Sequence, residues 1–183
     1  MTEKQYDIYT AGPLFDEKEI RRCGIIEEAF KGLDFFSPRL ETKEYGMKLG
    51  QCNYSIKTGD MTPYETLDDV LIARDEAATK ILEANINAIE NSRAVIACID
   101  NRDPGTMFEI GYAVCLGKPV ITYSFENYGS NVMISQSTVY HATITEDNVS
   151  ELTDAVFQLL SEYNGDNQEA RQKLFKLKDM VIE

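Results

Sequence analysis

A single histidine, His141, is all the imidazole this chain has, and its four cysteines (Cys23, Cys52, Cys98 and Cys115) are scattered without a CxxC pair. That scarcity leaves little material for a histidine-based metal centre, a zinc site or a Ser-His-Asp triad. Reduced thiols fit the spacing better than a disulfide framework. Positive charge is short as well: 18 basic against 31 acidic residues give a formal net charge of -13. The densest basic spot is Arg21-Arg22, well short of the basic stripe that a phosphate-backbone binder needs, so no nucleic acid polymer is expected as partner. A small neutral or weakly charged ligand is the easier one. Long apolar runs are missing too. The longest clean one, "AVIACI" at 94–99, is too short to span a bilayer, and the opening "MTEKQYD" has no apolar core of a signal peptide. The expectation is a cytoplasmic protein with no membrane partner.

What is present suits an ordinary globular domain. Hydrophobic residues make up 43% and charged residues 27% of 183, enough for one domain with a sheet covered on both faces. "YDIYTAGPLF" (6–15) starts as a strand and breaks at Gly12-Pro13, like a strand-to-helix turn. Asp16 is a plausible N-cap for a helix over 17–32, with Ile20, Cys23, Ile26, Ala29 and Phe30 at helical spacing and Gly32 as stop. "DFFSP" (34–38) reads as a short second strand. Residues 39–66 show no clean period and hold Gly46, Gly50, Gly59 and Pro63, which predicts a long functional loop or insertion. Helical spacing returns from Thr66 to Asn91, with Ala78, Ile81, Leu82, Asn85 and Ile89 on one face.

"AVIACID" (94–100) is the best strand, apolar enough to be buried on both sides. A loop and helix follow, then a strand over 118–125, a short helix at "SNVMISQS" and a last strand over 139–144. Two C-terminal helices, 146–163 and 167–180, close a single domain over 1–183. Strands alternating with helices in this way predict an α/β fold, a flavodoxin-like three-layer sandwich with a central parallel sheet flanked by helices. Ligands in such folds bind beyond the carboxyl ends of the strands. There the loop Thr10–Phe15 and the segment after Asp100 bring Tyr9, Asp100, Asp103 and Glu109 within reach of one another.

The segment "DNRDPGTMFEIGYA" (100–113) holds the most pointed choice. Thr106-Met-Phe-Glu109 matches a capping box, in which the glutamate reaches back to the first turn. Asp103-Pro104 offers a competing helix start, with the aspartate as N-cap and the proline at the first position. That start leaves Glu109 beyond cap range, on a face shared with Gly105, Tyr112 and Ala113, where another molecule has room to approach. Asn85 reads either as a buried amide satisfying a backbone group or as a ligand contact. Tyr9 reads as a core aromatic with its hydroxyl at the rim, and His141 as a strand or surface residue. "TAGPLF" alone shows a turn whose helix N-terminus is able to receive an anion.

"IYTAGPLF", "FFSPR", "ANINAIENSRAVIACIDNRDPGTMFEIGYAVCLGKPVI" and "ENYGSNVM" together resemble the nucleoside 2-deoxyribosyltransferase family. The likeness runs over about residues 5–135, and D-x-G-T-x-[FW]-E-x-G-Y-A is its specific part. It implies transfer of 2-deoxyribose between purine and pyrimidine bases through a covalent deoxyribosyl-glutamate, with net retention. By resemblance Glu109 is the nucleophile, Asp103 assists at base and sugar, and Tyr9 orients the glutamate. Asn131 and Met133 match residues that members lend to a neighbouring subunit's site, which implies a homo-oligomer. Gly12, Phe15, Asp100 and Asn85 complete the candidate substrate contacts. The implied partners are 2'-deoxynucleosides and free nucleobases, with neither metal nor organic cofactor.

The residue types suit that chemistry. A carboxylate is a competent nucleophile toward an oxocarbenium-like carbon, and two displacements conserve configuration. The departing base also needs a proton from an acid of raised pKa. The family commonly has aspartate where this chain has Asn85, and a carboxamide bonds a base without acting as an acid. Either Asp103 or a water takes that role, or the base preference is altered. Two alternatives remain open. A hydrolase of 2'-deoxynucleoside 5'-monophosphates would use the same glutamate but needs a phosphate cradle, and "AGPLF" has no serine and a proline that removes one donor. A non-catalytic nucleotide-binding domain is compatible with the fold alone.

Overall fold

The computed structural model describes residues 5–126 and 131–162. In chain order the elements are β1 (Tyr6–Ala11), α1 (Glu17–Ala29), β2 (Phe35–Phe36), α2 (Pro38–Glu41), α3 (Lys43–Thr58), α4 (Leu67–Glu90) and β3 (Ser92–Cys98). A 3₁₀ turn (Asp100–Arg102) follows, then α5 (Pro104–Cys115), β4 (Val120–Ser124), α6 (Val132–Ser137), β5 (Tyr140–Thr143) and α7 (Ser150–Glu162). The chain divides into two compact units: the described parts of Met1–Ser37 and Ala88–Glu183 form the first, and Pro38–Asn87 the second.

The first unit is the predicted α/β sandwich. Its strands form an all-parallel sheet in the order β2-β1-β3-β4-β5, the flavodoxin-like order, whose switch point lies between β1 and β3. Register sets Tyr9 opposite Phe36 on one side and Val95 on the other. Because side chains alternate across a strand, each strand feeds two layers. Ile8, Ile96 and Ile121 point into one apolar cluster with Ile26 of α1 and Leu152 and Val156 of α7. On the opposite face α5 packs over β1, β3 and β4, with Ile110 and Ala113 buried. Asp16 caps α1 as its sequence suggests, and Glu19 completes a capping box. No helix among the described residues is long and apolar enough to cross a membrane.

The second unit departs from the sequence-based expectation. Where a long loop is predicted over 39–66, the chain forms α2 and then α3, which ends on Gly59 in the left-handed region at φ 79°. The periodic signal is faint for a physical reason. The residues α3 buries, Cys52 and Ser55, are small, and two glycines, Gly46 and Gly50, sit in its interior. Cys52 packs with Val70 and Ala73, flanked by Met61 and Tyr64, and its Sγ lies 3.2 Å from the Tyr64 hydroxyl. The face expected for α4 is also displaced. Val70, Ala73 and Ala77 are buried while Ala78 and Leu82 are exposed, and the expected face holds only toward the end of the helix, where Ile81 and Asn85 are half-buried and Ile89 is buried. An alanine stripe buries less area per residue than leucine, so it is outweighed when apolar periodicity is judged by size.

Of the two expected C-terminal helices, the first is α7. It starts at Ser150 rather than 146 because Asn148 Oδ1 accepts from the Ser150 N–H and hydroxyl at 3.1 and 2.7 Å, in place of a further helical turn. The second lies outside the described residues.

Candidate active site

Of the two helix starts open to "DNRDPGTMFE", the chain uses the earlier one. Asp103 is the N-cap of α5 and Pro104 opens the helix. The Asp103 Oδ2 accepts from the Thr106 N–H at 2.7 Å and from the Thr106 hydroxyl at 2.8 Å. Gly105 leaves room for this cap, since a β-carbon there would sit 3.1 Å from the same oxygen. Glu109 is therefore past the first turn and serves no capping box.

Its carboxylate is met by Tyr9 instead. The Tyr9 hydroxyl, 100 residues away in sequence, donates to Glu109 Oε1 at 2.6 Å. Tyr9 is fully buried and its ring stacks on Phe36, with centroids 5.6 Å apart and planes 10° from parallel. Burial first, then the Glu109 charge and the hydrogen bond, push its pKa well above the ordinary tyrosine value. Tyr9 is thus held neutral, as a fixed donor to a half-buried carboxylate. Phe36, which seats that ring, lies on the expected second strand, but the sequence does not foretell its stacking on Tyr9. A two-residue strand gives no periodic signal for it.

Asp103 is buried, and its Oδ1 takes no part in the cap. Asp100, also buried, has a different employment. It accepts from the Phe125 N–H (3.1 Å), the Glu126 N–H (3.3 Å) and Arg22 Nη1 (3.2 Å). This carboxylate ties the end of β3 to the end of β4 and to α1, and a substrate would have to compete with three protein donors for it. Gly12 lets the first loop pass close over β3: a β-carbon there would lie 3.3 Å from Cys98 Cβ. Phe15 is 80% exposed, and its backbone N–H donates to Glu19 Oε2 at 2.7 Å.

Asn131 is the N-cap of α6, its Oδ1 accepting from the Met133 N–H at 2.9 Å. Met133 itself is 75% exposed. Asn85 lies on α4 within the second unit, half-buried. The first unit thus brings Tyr9, Glu109, Asp103, Gly12 and Phe15 to the carboxyl-end loops and strand faces next to the switch point, with Asp100 beneath as a brace.

His141 sits on β5 with Nδ1 3.1 Å from the Thr122 hydroxyl and Nε2 3.3 Å from the Ser124 hydroxyl. Burial lowers its pKa, with Glu151 and Asp100 opposing. Among the described residues no three His, Cys, Asp or Glu side chains are grouped to hold a metal ion.

A protein-family model described as Nucleoside 2-deoxyribosyltransferase matches residues 8–139. An uncharacterized protein of Ureaplasma parvum serovar 3 is 31% identical over 121 residues, 64% of this chain. The match spans 65% of that relative's length, just under two thirds. Among solved structures, a 2-deoxyribosyltransferase from Bacillus psychrosaccharolyticus superposes with a TM-score of 0.56 at 24% identity, over 84% of this chain and 94% of that one. That likeness speaks to the fold. A conserved protein from Enterococcus faecalis V583 gives a TM-score of 0.49 at 17% identity, over 85% of this chain and 99% of that one.

Proposed function

The chain belongs to the nucleoside 2-deoxyribosyltransferase family, and we propose that it transfers 2-deoxyribose from a 2'-deoxynucleoside to a second nucleobase by double displacement at Glu109. The observation that carries this reading is the 2.6 Å hydrogen bond from the buried Tyr9 hydroxyl to Glu109 Oε1. It holds a neutral donor against one carboxylate oxygen of the proposed nucleophile.

In the first step a Glu109 oxygen bonds to C1' of the sugar as the N-glycosidic bond breaks. The bond's electron pair leaves on the base, which takes up a proton. In the second step a ring nitrogen of the acceptor base bonds to C1' from the opposite side, the ester C–O bond breaks, and the acceptor loses its proton. Two inversions give retention. Tyr9 acts most on the second step, because the carboxylate that departs regains charge against a donor already in place. Asp103, beside the nucleophile's helix, serves base and sugar, with Oδ1 as the atom outside the cap. Asn85 is assigned to base contact as an amide, so the proton comes from Asp103 or a water. No metal or organic cofactor enters these steps. Asn131 and Met133 are read as lent to a neighbouring copy in a homo-oligomer. The exposure of Met133 suits that role, since methionine is favoured in the core of such contacts.

The first loop bears on the hydrolase alternative. Pro13 removes one N–H, and the N–H groups of Phe15 and Asp16 already donate to Glu19, which leaves that loop poorly equipped as a phosphate cradle. Incubation of the protein with thymidine and adenine, followed by chromatography, tests the proposal. Deoxyadenosine and thymine are the expected products. Free deoxyribose alone would place the chain with hydrolases, and binding without turnover would make it a nucleotide-binding domain.

A further inference from the structure

The 3₁₀ turn between β3 and α5 is strained: Asn101 and Arg102 both have positive φ, 57° and 51°. Asparagine tolerates that region and arginine does not, so the surroundings must hold the turn in place. Asp100 secures one side through Phe125, Glu126 and Arg22. The other side is secured by the Asn101 side chain, whose Nδ2 donates to Glu19 Oε1. Glu19 is 6% exposed. Its Oε2 accepts from the N–H groups of Phe15 (2.7 Å) and Asp16 (3.3 Å). A capping box requires just this Oε2 contact. The Oε1 contact adds nothing to the cap of α1, and it joins the loop after β1 to the turn that feeds Asp103, Pro104 and then Glu109.

We infer that Glu19 and Asn101 form a positioning pair for the proposed site, a strut that sets the loop carrying Phe15 against the start of the helix carrying Glu109. The pair touches no reacting atom. It fixes how far the two carboxyl-end loops stand apart, and hence where a nucleoside rests against the nucleophile. The kinetic part of this inference rests on the base-exchange reading, and the structural part does not.

Replacing the donor in the pair by an acceptor tests it on the full-length protein. Asn101→Asp faces one carboxylate with another, and no rotation mends the contact. We expect KM for thymidine to rise about tenfold with kcat within about threefold of wild type. The Phe15 and Asp16 amides should exchange with deuterium roughly tenfold faster. Glu19→Gln alone should stay near wild type, because the Asn101 amide can turn its oxygen toward the new donor. Glu19→Gln combined with Asn101→Asp restores a bond of reversed polarity, and KM and amide exchange should both return toward wild type.

Unchanged exchange at Phe15 in Asn101→Asp would overturn the strut, as would a double variant no better than Asn101→Asp. A lower Tm with KM unaltered would reduce the pair to ordinary stabilisation and also overturn it. If Asn101→Asp does not fold, Asn101→Gly keeps the left-handed backbone, loses the amide and must show the same changes. A wild type that exchanges no bases would sink the functional reading, and the deuterium result would still decide the strut.

Discussion

The two faces of the first unit's sheet share a backbone and bury different things. On the face covered by α1 and α7, Ile8, Ile96, Ile121 and their helix partners form a mostly aliphatic cluster. On the α5 face β1, β4 and β5 present Tyr9, Thr122, Ser124 and His141, each hydroxyl or ring nitrogen matched to a partner. Apolar burial is non-directional and tolerates small shifts, whereas a buried hydroxyl must find its acceptor within a few tenths of an ångström. One face is therefore suited to hold the fold and the other to hold a carboxylate in a set position.

Substitutions on the two faces should therefore separate stability from chemistry. Glu109→Ala carries the largest expected effect: base exchange should fall by at least about a thousandfold, while stability in urea falls only by the about 1–3 kcal/mol of leaving the Tyr9 hydroxyl without its acceptor. Ile96→Ala, on the opposite face of the neighbouring strand, should do the reverse. It should cost about 2–5 kcal/mol of stability in urea titration and leave kcat per folded molecule near wild type. A large loss of kcat there would show that the faces are not separable.

Tyr9→Phe stands between the two. Exchange should drop about a hundredfold through loss of the donor to the departing carboxylate, with a modest change in stability. The same variant carries a pH signature. The Tyr9 pKa is raised in the folded protein, so the folded state keeps its proton where the unfolded chain, titrating near pH ~10, gives it up. Unfolding is then favoured as pH rises above that value. Wild type should lose stability on the alkaline side, and Tyr9→Phe should lose less of it, as read by thermal melts from neutral pH to above 10.

The smallest effect concerns the shared site. Glu109→Ala and Asn131→Ala, each impaired alone, should recover partial activity when mixed under subunit exchange. Sedimentation of a fully active monomer would refute the sharing.

Much of this arrangement is visible in the residues themselves. β1, β3 and β4 announce themselves by apolar runs broken at Gly12-Pro13, Asp100 and Lys118. Asp103-Pro104 is legible as a helix start from steric preference alone. Helix α3 is not legible, because its packing rests on Cys52 and Ser55 where a pattern reading looks for large side chains. The partners of Asp100 are a second thing that local pattern does not carry: the backbone N–H groups it accepts from lie just beyond β4, 25 and 26 residues on. Glu19 and Asn101 lie 82 residues apart, and no local spacing predicts their meeting.

The central claim is that Glu109 becomes covalently bonded to the sugar. Its most direct test is acid quenching of the protein within its first turnovers of a 2'-deoxynucleoside, followed by intact mass and peptide mapping. A mass increase of one deoxyribosyl group is expected, confined to the peptide that holds Glu109 and discharged when a second base is added. Steady base exchange with no adduct at any quench time, or an adduct on another carboxylate, would contradict it.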